Sequence, residues 1–350
     1  MNHYHNSMEQ LRFTREQKEE MVERLLRPER PRRPVLPLRR IAAVGVAAAL
    51  VLVGTAGAAG VLRPASEALS TLFGGAPAQT EIIDRIGRPV GASATDNGVT
   101  ITADAIIGDT YSYAILYTIA RDDGTPLAED LTPINGVLPL SFENFGADVG
   151  THGGAHGSAY FFDADPSDNA VQYVELMTAD VPIESGTAKV KFQNLSVYTN
   201  SDMSRQELVA DGTWKLKFDF AFEDSSVHLP AEQSFQLNGM DATLDEVVIS
   251  PLSIQVNYTV HNELQWDEAR TSGRQSEHDR EQSYLYFESL PILLTFTDGT
   301  TLDLSNAGGG ISPSGGETVC QKGTIFDEIL TLDGLESVTV ADLVLPLSIP

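Results

Sequence analysis

The sequence predicts a mainly β protein: two tandem antiparallel β-sandwich domains that follow one N-terminal transmembrane helix and a short cytoplasmic helix. Three observations predict it. Residues 41–62 are 22 consecutive positions without a charge. The charge balance reverses across them: residues 1–40 hold ten Lys/Arg and six Asp/Glu, whereas residues 63–350 hold 13 and 43, a net −30. Beyond the uncharged run, short stretches rich in β-branched and aromatic residues recur at an offset of 141 residues.

Residues 1–40 are expected to be a cytoplasmic segment with an amphipathic helix over about 14–27. Thr14 is placed as an N-cap and Gln17 three positions later completes a capping-box pattern. Met21, Val22, Leu25 and Leu26 fall on one face, and Pro28 ends the helix. Pro28, Pro31, Pro34 and Pro37, interleaved with Arg, then make an extended basic linker. A helix this short does not bury its own apolar face, so it binds a protein partner, lies on the membrane, or frays. Met21, Val22, Leu25 and Leu26 are the candidate partner-binding residues. His3 and His5 have no cysteine nearby and do not make a zinc site.

Residues 41–62, as a helix at about 1.5 Å per residue, reach across the ~30 Å hydrocarbon core of a bilayer. Arg27, Arg30, Arg32, Arg33, Arg39 and Arg40 precede the span closely and only Arg63 follows it closely, so the N-terminus is expected inside the cell membrane and the C-terminal part outside. The alternative is a cleaved signal peptide, with Ala56-Gly57-Ala58 as the cleavage site. Its leader would be longer than an ordinary n-region and its apolar run longer than a typical h-region.

Residues 63–84 are expected as a stalk, helical from Pro64. A first sandwich is expected over 85–222, a linker over 223–230 and a second sandwich over 231–350. The repeat sets Asn97-Gly98 through Ile107, followed by Tyr117-Thr118-Ile119, against Asn238-Gly239 through Val248, followed by Tyr258-Thr259-Val260. Asp123-Gly124-Thr125 is matched with Asp298-Gly299-Thr300, and Val190, Phe192, Leu195 and Val197 with Val338, Val340, Leu343 and Leu345. In the run from Trp214 to Phe220, Trp214, Leu216, Phe218 and Phe220 share one face and Lys215, Lys217 and Asp219 the other, the alternation of a half-buried strand.

Few residues suggest chemistry, and no catalytic residue, cofactor or metal site is expected. His152 and His156 stand four apart, but the glycines around them point to a loop rather than a helical metal face. Asp163 to Asn169 is rich in oxygen donors without EF-hand spacing. Ser276-Glu277-His278-Asp279 supplies the residue types of a triad side by side, whereas a working triad draws on separated segments. The lone Cys320 forms no internal disulfide and reads as an apolar residue. A charge of −30 over residues 63–350 argues against nucleic acid or anionic lipid as partners of that part.

The Pro-Arg linker, the Ala/Gly-rich span and the Thr95-Asp96-Asn97-Gly98-Val99-Thr100-Ile101-Thr102 strand together resemble the bacterial domain of unknown function 4179 family. Asp211 to Phe218 and Ser337 to Leu343 are similar to its later segments. The resemblance implies single-span proteins with an immunoglobulin-like exported part, often encoded beside extracytoplasmic-function sigma factors and presumed to be anti-sigma factors or envelope sensors. The expectation is therefore a membrane-anchored signalling protein without catalysis, with a sigma factor as a possible cytoplasmic partner and an unknown extracellular ligand. The alternative is a surface adhesion or cell-envelope binding module whose N-terminus only anchors it. The chain departs from the zinc-binding anti-sigma type, since residues 1–40 contain no cysteine.

Overall fold

The computed structural model describes residues 63–128, 131–150, 153–200, 202–267 and 275–347. The expected cytoplasmic helix with Met21, Val22, Leu25 and Leu26, and the expected span over 41–62, lie outside the described residues. Among the described residues no helix is long and apolar enough to cross a membrane.

The described part is mainly β, in four antiparallel sheets. The first five-stranded sheet has the order β1-β2-β3-β6-β5 and contains β1 (Gly87–Asp96), β2 (Val99–Gly108), β3 (Ser112–Arg121), β5 (Ala155–Phe162) and β6 (Val171–Ala179). Against it lies β4-β7-β8, from β4 (Leu140–Asp148), β7 (Gly186–Tyr198) and β8 (Gln206–Phe220). The next sheet, β10-β11-β12-β16-β15, is formed by β10 (Gln233–Leu237), β11 (Met240–Ile249), β12 (Ser253–Val260), β15 (Gly308–Ser314) and β16 (Glu317–Ile325). The last, β14-β13-β17-β18, contains β13 (Ile292–Phe296), β14 (Thr301–Asp303), β17 (Leu335–Val340) and β18 (Leu343–Pro346).

Each pair of sheets closes on one core. Tyr117, Tyr173, Phe192 and Trp214 meet in the first, with the rings of Tyr117 and Phe192 edge-to-face at 5.0 Å. Tyr258, Cys320, Leu294 and Val338 meet in the second. Trp214 is fully buried and donates from Nε1 to the Val99 carbonyl at 2.8 Å, so the indole crosses from one sheet to the other with its polar edge satisfied.

The repeat is visible strand by strand. Asn97-Gly98 and Asn238-Gly239 both carry positive φ, 47° and 74° in the first turn and 52° and 80° in the second, the combination a type I′ hairpin turn needs. Each following strand has a β-bulge at the same place, one extra residue at Asp104 and one at Asp245. Thr118 and Thr259, one strand over, donate to those carboxylates at 2.7 Å in both copies. Tyr117 and Tyr258 are both fully buried on equivalent strands. Val190 on β7 and Val338 on β17 are likewise both buried on the middle of three successive strands.

Four expectations are corrected. Leu195 and Val197 do not match Leu343 and Leu345: the first two lie on β7, whereas the second two lie on β18, which pairs with β17 as β8 pairs with β7. Residues 63–84 are not a free stalk: α1 (Ala65–Phe73) and α2 (Pro77–Ile86) seat Leu69, Phe73, Ile83 and Ile86 on the outer face of the first sheet. The helical spacing of those apolar residues requires a surface to cover, and Ala105, Ile107, Leu116 and Val174 provide it. The expected linker at 223–230 contains β9 (Val227–Leu229), which pairs with β11 and so belongs to the second sandwich. The turns at Asp123 and Asp298 share an identical local geometry, each carboxylate accepting from the backbone and hydroxyl of the Thr two residues on. They are not repeat partners, however: the first follows β3, whereas the second follows β13, the counterpart of β4.

Candidate functional site

The most elaborate polar structure lies where the two sandwiches meet. Two hairpin turns, Asp109–Ser112 and Ser250–Ser253, face each other there, and they are repeat partners at the same 141-residue offset. Each closes itself. Asp109 Oδ1 accepts from the backbone of Tyr111 (3.0 Å) and Ser112 (2.7 Å). Ser250 Oγ accepts from the backbone of Leu252 (2.9 Å) and Ser253 (3.0 Å). The free oxygen of Asp109 then accepts from the hydroxyls of Ser250 and Ser253, the latter at 2.6 Å. The Asp109 carboxyl is fully buried, and burial raises its pKa above the usual carboxylate range against the pull of those four donors.

Around this joint, Tyr111 Oη donates to Glu246 Oε2 at 3.1 Å, and Asn257 donates to the same oxygen. His228 Nδ1 lies 3.3 Å from Glu246 Oε1. Burial, and then the Glu246 charge, push the Tyr111 hydroxyl up to about 12. Thr110 donates to Asp224, just ahead of β9. The carbonyl of Phe73 accepts from Ile329, tying α1 to the second sandwich. These contacts make the described part a single compact unit.

Beside the joint is a cleft of about 380 Å³, within the size range of small-molecule sites. One wall carries His156, Ser158 and Thr178 of the first sandwich; the other carries Gly308, Thr324 and Asp327 of the second. The outward positions of Gly308 and Gly323, paired across β15 and β16, have no side chains, so the backbone itself forms part of the floor. His156 Nε2 is buried there without a hydrogen-bond partner among the described residues. The cleft presents hydroxyls, a carboxylate and an imidazole, a set suited to binding a small polar ligand.

The residues considered from sequence fall elsewhere or into ordinary roles. His156 is on a strand, and His152 lies outside the described residues. Asp163, Asp165 and Asp168 each accept from a backbone N–H two residues on, a succession of polar turns. Ser276 caps α3 (Glu277–Ser283) by accepting from Asp279 N at 3.0 Å, and His278 contacts the Gln265 carbonyl. Cys320 is fully buried, and burial pushes its thiol up to about 12, far from a reactive thiolate. Among the described residues no group of three or more His, Cys, Asp and Glu side chains is placed to hold a metal ion.

A second arrangement went unnoticed in the sequence. His261 bridges Thr243 (Nε2 to Oγ1, 2.8 Å) and Glu317 (Nδ1 to Oε1, 2.7 Å). The connectivity is that of a hydroxyl–imidazole–carboxylate triad. All three groups lie on the open outer face of the second sandwich, where water reaches them, and nothing there shields a reacting carbonyl. It serves as a cross-strand ladder. Its only sequence signal is the spacing of Thr243 on β11, His261 just past the end of β12 and Glu317 on β16, which becomes informative once the register is known.

No family model matches the chain, and no curated protein matches it. The chain is similar to one solved structure, the crystal structure of the conserved domain protein from Bacillus anthracis, at 15% sequence identity, over 73% of this chain and 76% of that chain, with a TM-score of 0.48. A likeness at that level carries no argument about function.

Proposed function

We propose that the protein is a single-span signalling component of the cell envelope, of the anti-sigma-factor type, with residues 63–350 outside the membrane as a ligand-binding or sensing part. The observation that carries this reading is the charge reversal across the uncharged run 41–62. A basic flank on one side and a strongly acidic domain on the other orient a span without further signals. In this reading the sandwiches are immunoglobulin-like, the joint between them is a rigid platform, and the adjoining cleft receives a small ligand. Residues 14–27 engage a cytoplasmic protein such as a sigma factor through Met21, Val22, Leu25 and Leu26, and no catalysis is involved. A second reading, an envelope-binding module with a purely anchoring N-terminus, is favoured by the cleft alone, which needs no cytoplasmic partner.

Two measurements test the proposal. A reporter fused after Pro350 is expected to be active only outside the membrane; activity inside overturns the topology. The double change Leu25→Asp with Leu26→Asp, in protein present at normal level in the membrane, is expected to abolish capture of the cytoplasmic partner, because each buried Leu contributes about 1.5–3 kcal/mol. Unchanged transcriptional output of the neighbouring pathway leaves the binding-module reading in its place.

A further inference from the structure

Residues 63–350 contain five lysines in a region of net charge −30, and four of them form one square. Lys189 and Lys191 on β7 pair directly with Lys217 and Lys215 on β8. All four side chains are exposed on the outer face of the β4-β7-β8 sheet. Like charges directly opposite each other across a ladder destabilise it. Here two such pairs stand side by side. Lys189 has Asp148 at 3.7 Å and Lys191 donates to Gln193 at 3.2 Å. Among the described residues Lys215 and Lys217 have no carboxylate within ion-pair distance.

The fold does not require these lysines, and the second sandwich is the internal control. Val190 and Val338 are equivalent, so the four positions correspond to Ser337, Thr339, Val344 and Pro346. The same two-strand ladder is therefore built without any charge. Nor is protection of a free edge an adequate reason. Lys189 and Lys191 are on the central strand β7, which has no free edge to protect, and at Thr213 the edge of β8 is met by Asp96, which accepts from Thr213 N at 2.8 Å.

We infer that this face is a docking surface for a linear polyanion, specifically an acidic polysaccharide chain lying along the strands. Residues two apart on a strand are separated by about 6.6–6.8 Å, so the square offers two rows of positive charge at the pitch of a chain with regularly spaced anionic groups. The neighbouring outward side chains are Thr187, Gln193 and Thr213, which suit sugar hydroxyls, together with two carboxylates at the margin, Asp148 paired with Lys189 and Asp219, which accepts from the Thr187 hydroxyl. The square contains no aromatic platform for stacking bases and no apolar wedge for entering lipid. Asp148 and Asp219 adjoin the square and leave it with a net charge of +2, while exposed charges beyond a Debye length of about 8 Å are largely screened at physiological salt.

The inference rests on the proposed outside location of residues 63–350 only for where the polymer is met. Polymer binding and topology are measured separately and fail separately. The experiment is amine acetylation of the full-length chain in neutral detergent, with and without dextran sulfate, read lysine by lysine by mass spectrometry. Site-resolved labelling separates the square from the basic segment at residues 1–40. Lys189, Lys191, Lys215 and Lys217 are expected to be acetylated several-fold more slowly with the polymer. That protection is expected to weaken with salt, on the order of twentyfold in affinity between about 50 and 150 mM for four contacts to a single-stranded polyanion. Replacing Lys215→Thr and Lys217→Thr is expected to remove the protection of Lys189 and Lys191. Equal labelling with and without dextran sulfate overturns the inference, as does protection confined to Lys18. Protection by anionic lipid vesicles but not by dextran sulfate also overturns it, in favour of a lipid surface.

Discussion

The two sandwiches carry opposite charges at the same interior position. Glu175 on β6 pairs with Ile115, and Lys322 on β16 pairs with Val256; Ile115 and Val256 are repeat partners. Both side chains point into a sandwich core, and both residues are almost completely buried. The carboxylate is met by two hydroxyls of the neighbouring strand, Tyr113 at 2.9 Å and Tyr117 at 3.4 Å. The ammonium is met by three carbonyls, of Phe287 (3.1 Å), Glu288 (3.4 Å) and Leu290 (3.1 Å), and lies 5.0 Å from the Phe287 ring centre. Those carbonyls come from the end of the π-helical turn Tyr284–Glu288, which continues α3, and from Leu290 just beyond it, an insertion between β12 and β13 that has no helical counterpart among the described residues between β3 and β4. One architecture thus accommodates a buried ion of either sign, provided that the partners are recruited locally. In the first copy they come from strand side chains; in the second they come from an added helix end, whose carbonyls favour a cation.

The difference between the two cores is largest where their aromatic content differs. Trp214 pairs with Phe192, and the equivalent of Trp214 beside Val340 is Leu343, which is only half-buried. Trp214→Ala is expected to destabilise the first sandwich by about 3–5 kcal/mol, while Leu343→Ala costs clearly less. Denaturant unfolding followed separately in each sandwich checks this, and equal losses break the comparison.

The ionisable pair gives the next effect. Burial pushes Glu175 up to about 7 from its ordinary 4.5, with the two tyrosine hydroxyls pulling the other way. The folded state holds the proton more tightly than the unfolded chain, so stability is complete below pH 4.5 and is lost as pH rises toward about 7. Asp104, raised to about 6 by burial, acts in the same direction. Lys322 is lowered to about 8 by burial, so its contribution has the opposite sign: stability rises as pH climbs from about 8 toward 10.5. Thermal unfolding between pH 5 and 8 is expected to show the first loss, and Glu175→Gln is expected to flatten most of it. A slope unchanged by that substitution would falsify the assignment to Glu175.

The smallest effect tests the equivalence itself. Thr118→Val and Thr259→Val each remove one hydrogen bond to a bulge carboxylate and are expected to cost about 1 kcal/mol, equally in the two copies. Unequal costs from denaturant titration would show that the matching geometry hides different energetics.

The parts of this structure that were legible in the sequence are local. The Asn-Gly pairs announce their turns because few other residues accept positive φ at two successive positions. The alternation from Trp214 to Phe220 marks a strand with one buried face. Glu175 is not legible in this way, since an acid in a strand ordinarily faces solvent, and only the strand register places it between two tyrosines. The helices at 65–86 were legible as helices but not as part of the core, because the surface that Leu69 and Ile83 cover belongs to strands that follow in the chain. The lysine square needed the pairing of β7 with β8. Lys215 and Lys217 were read on one face, but nothing in the linear order sets Lys217 against Lys189.

The joint at Asp109 has a consequence for assembly. The two turns that meet there are copies of one turn, so the contact has the form of a symmetric dimer interface in which one partner has become Asp and the other Ser. In a dimer of identical chains both positions would change together, giving two facing carboxylates or two facing hydroxyls. Fusion in one chain permits a donor on one side and an acceptor on the other, and the bond then distinguishes which sandwich comes first. Fusion also sets the local concentration of each half for the other on the order of millimolar when the connection is short, and only Ala221 to Ser226 separate β8 from β9. Exchange of halves between chains is therefore outcompeted at ordinary protein concentrations, and the asymmetric bond acts as an address label that keeps each chain paired with itself.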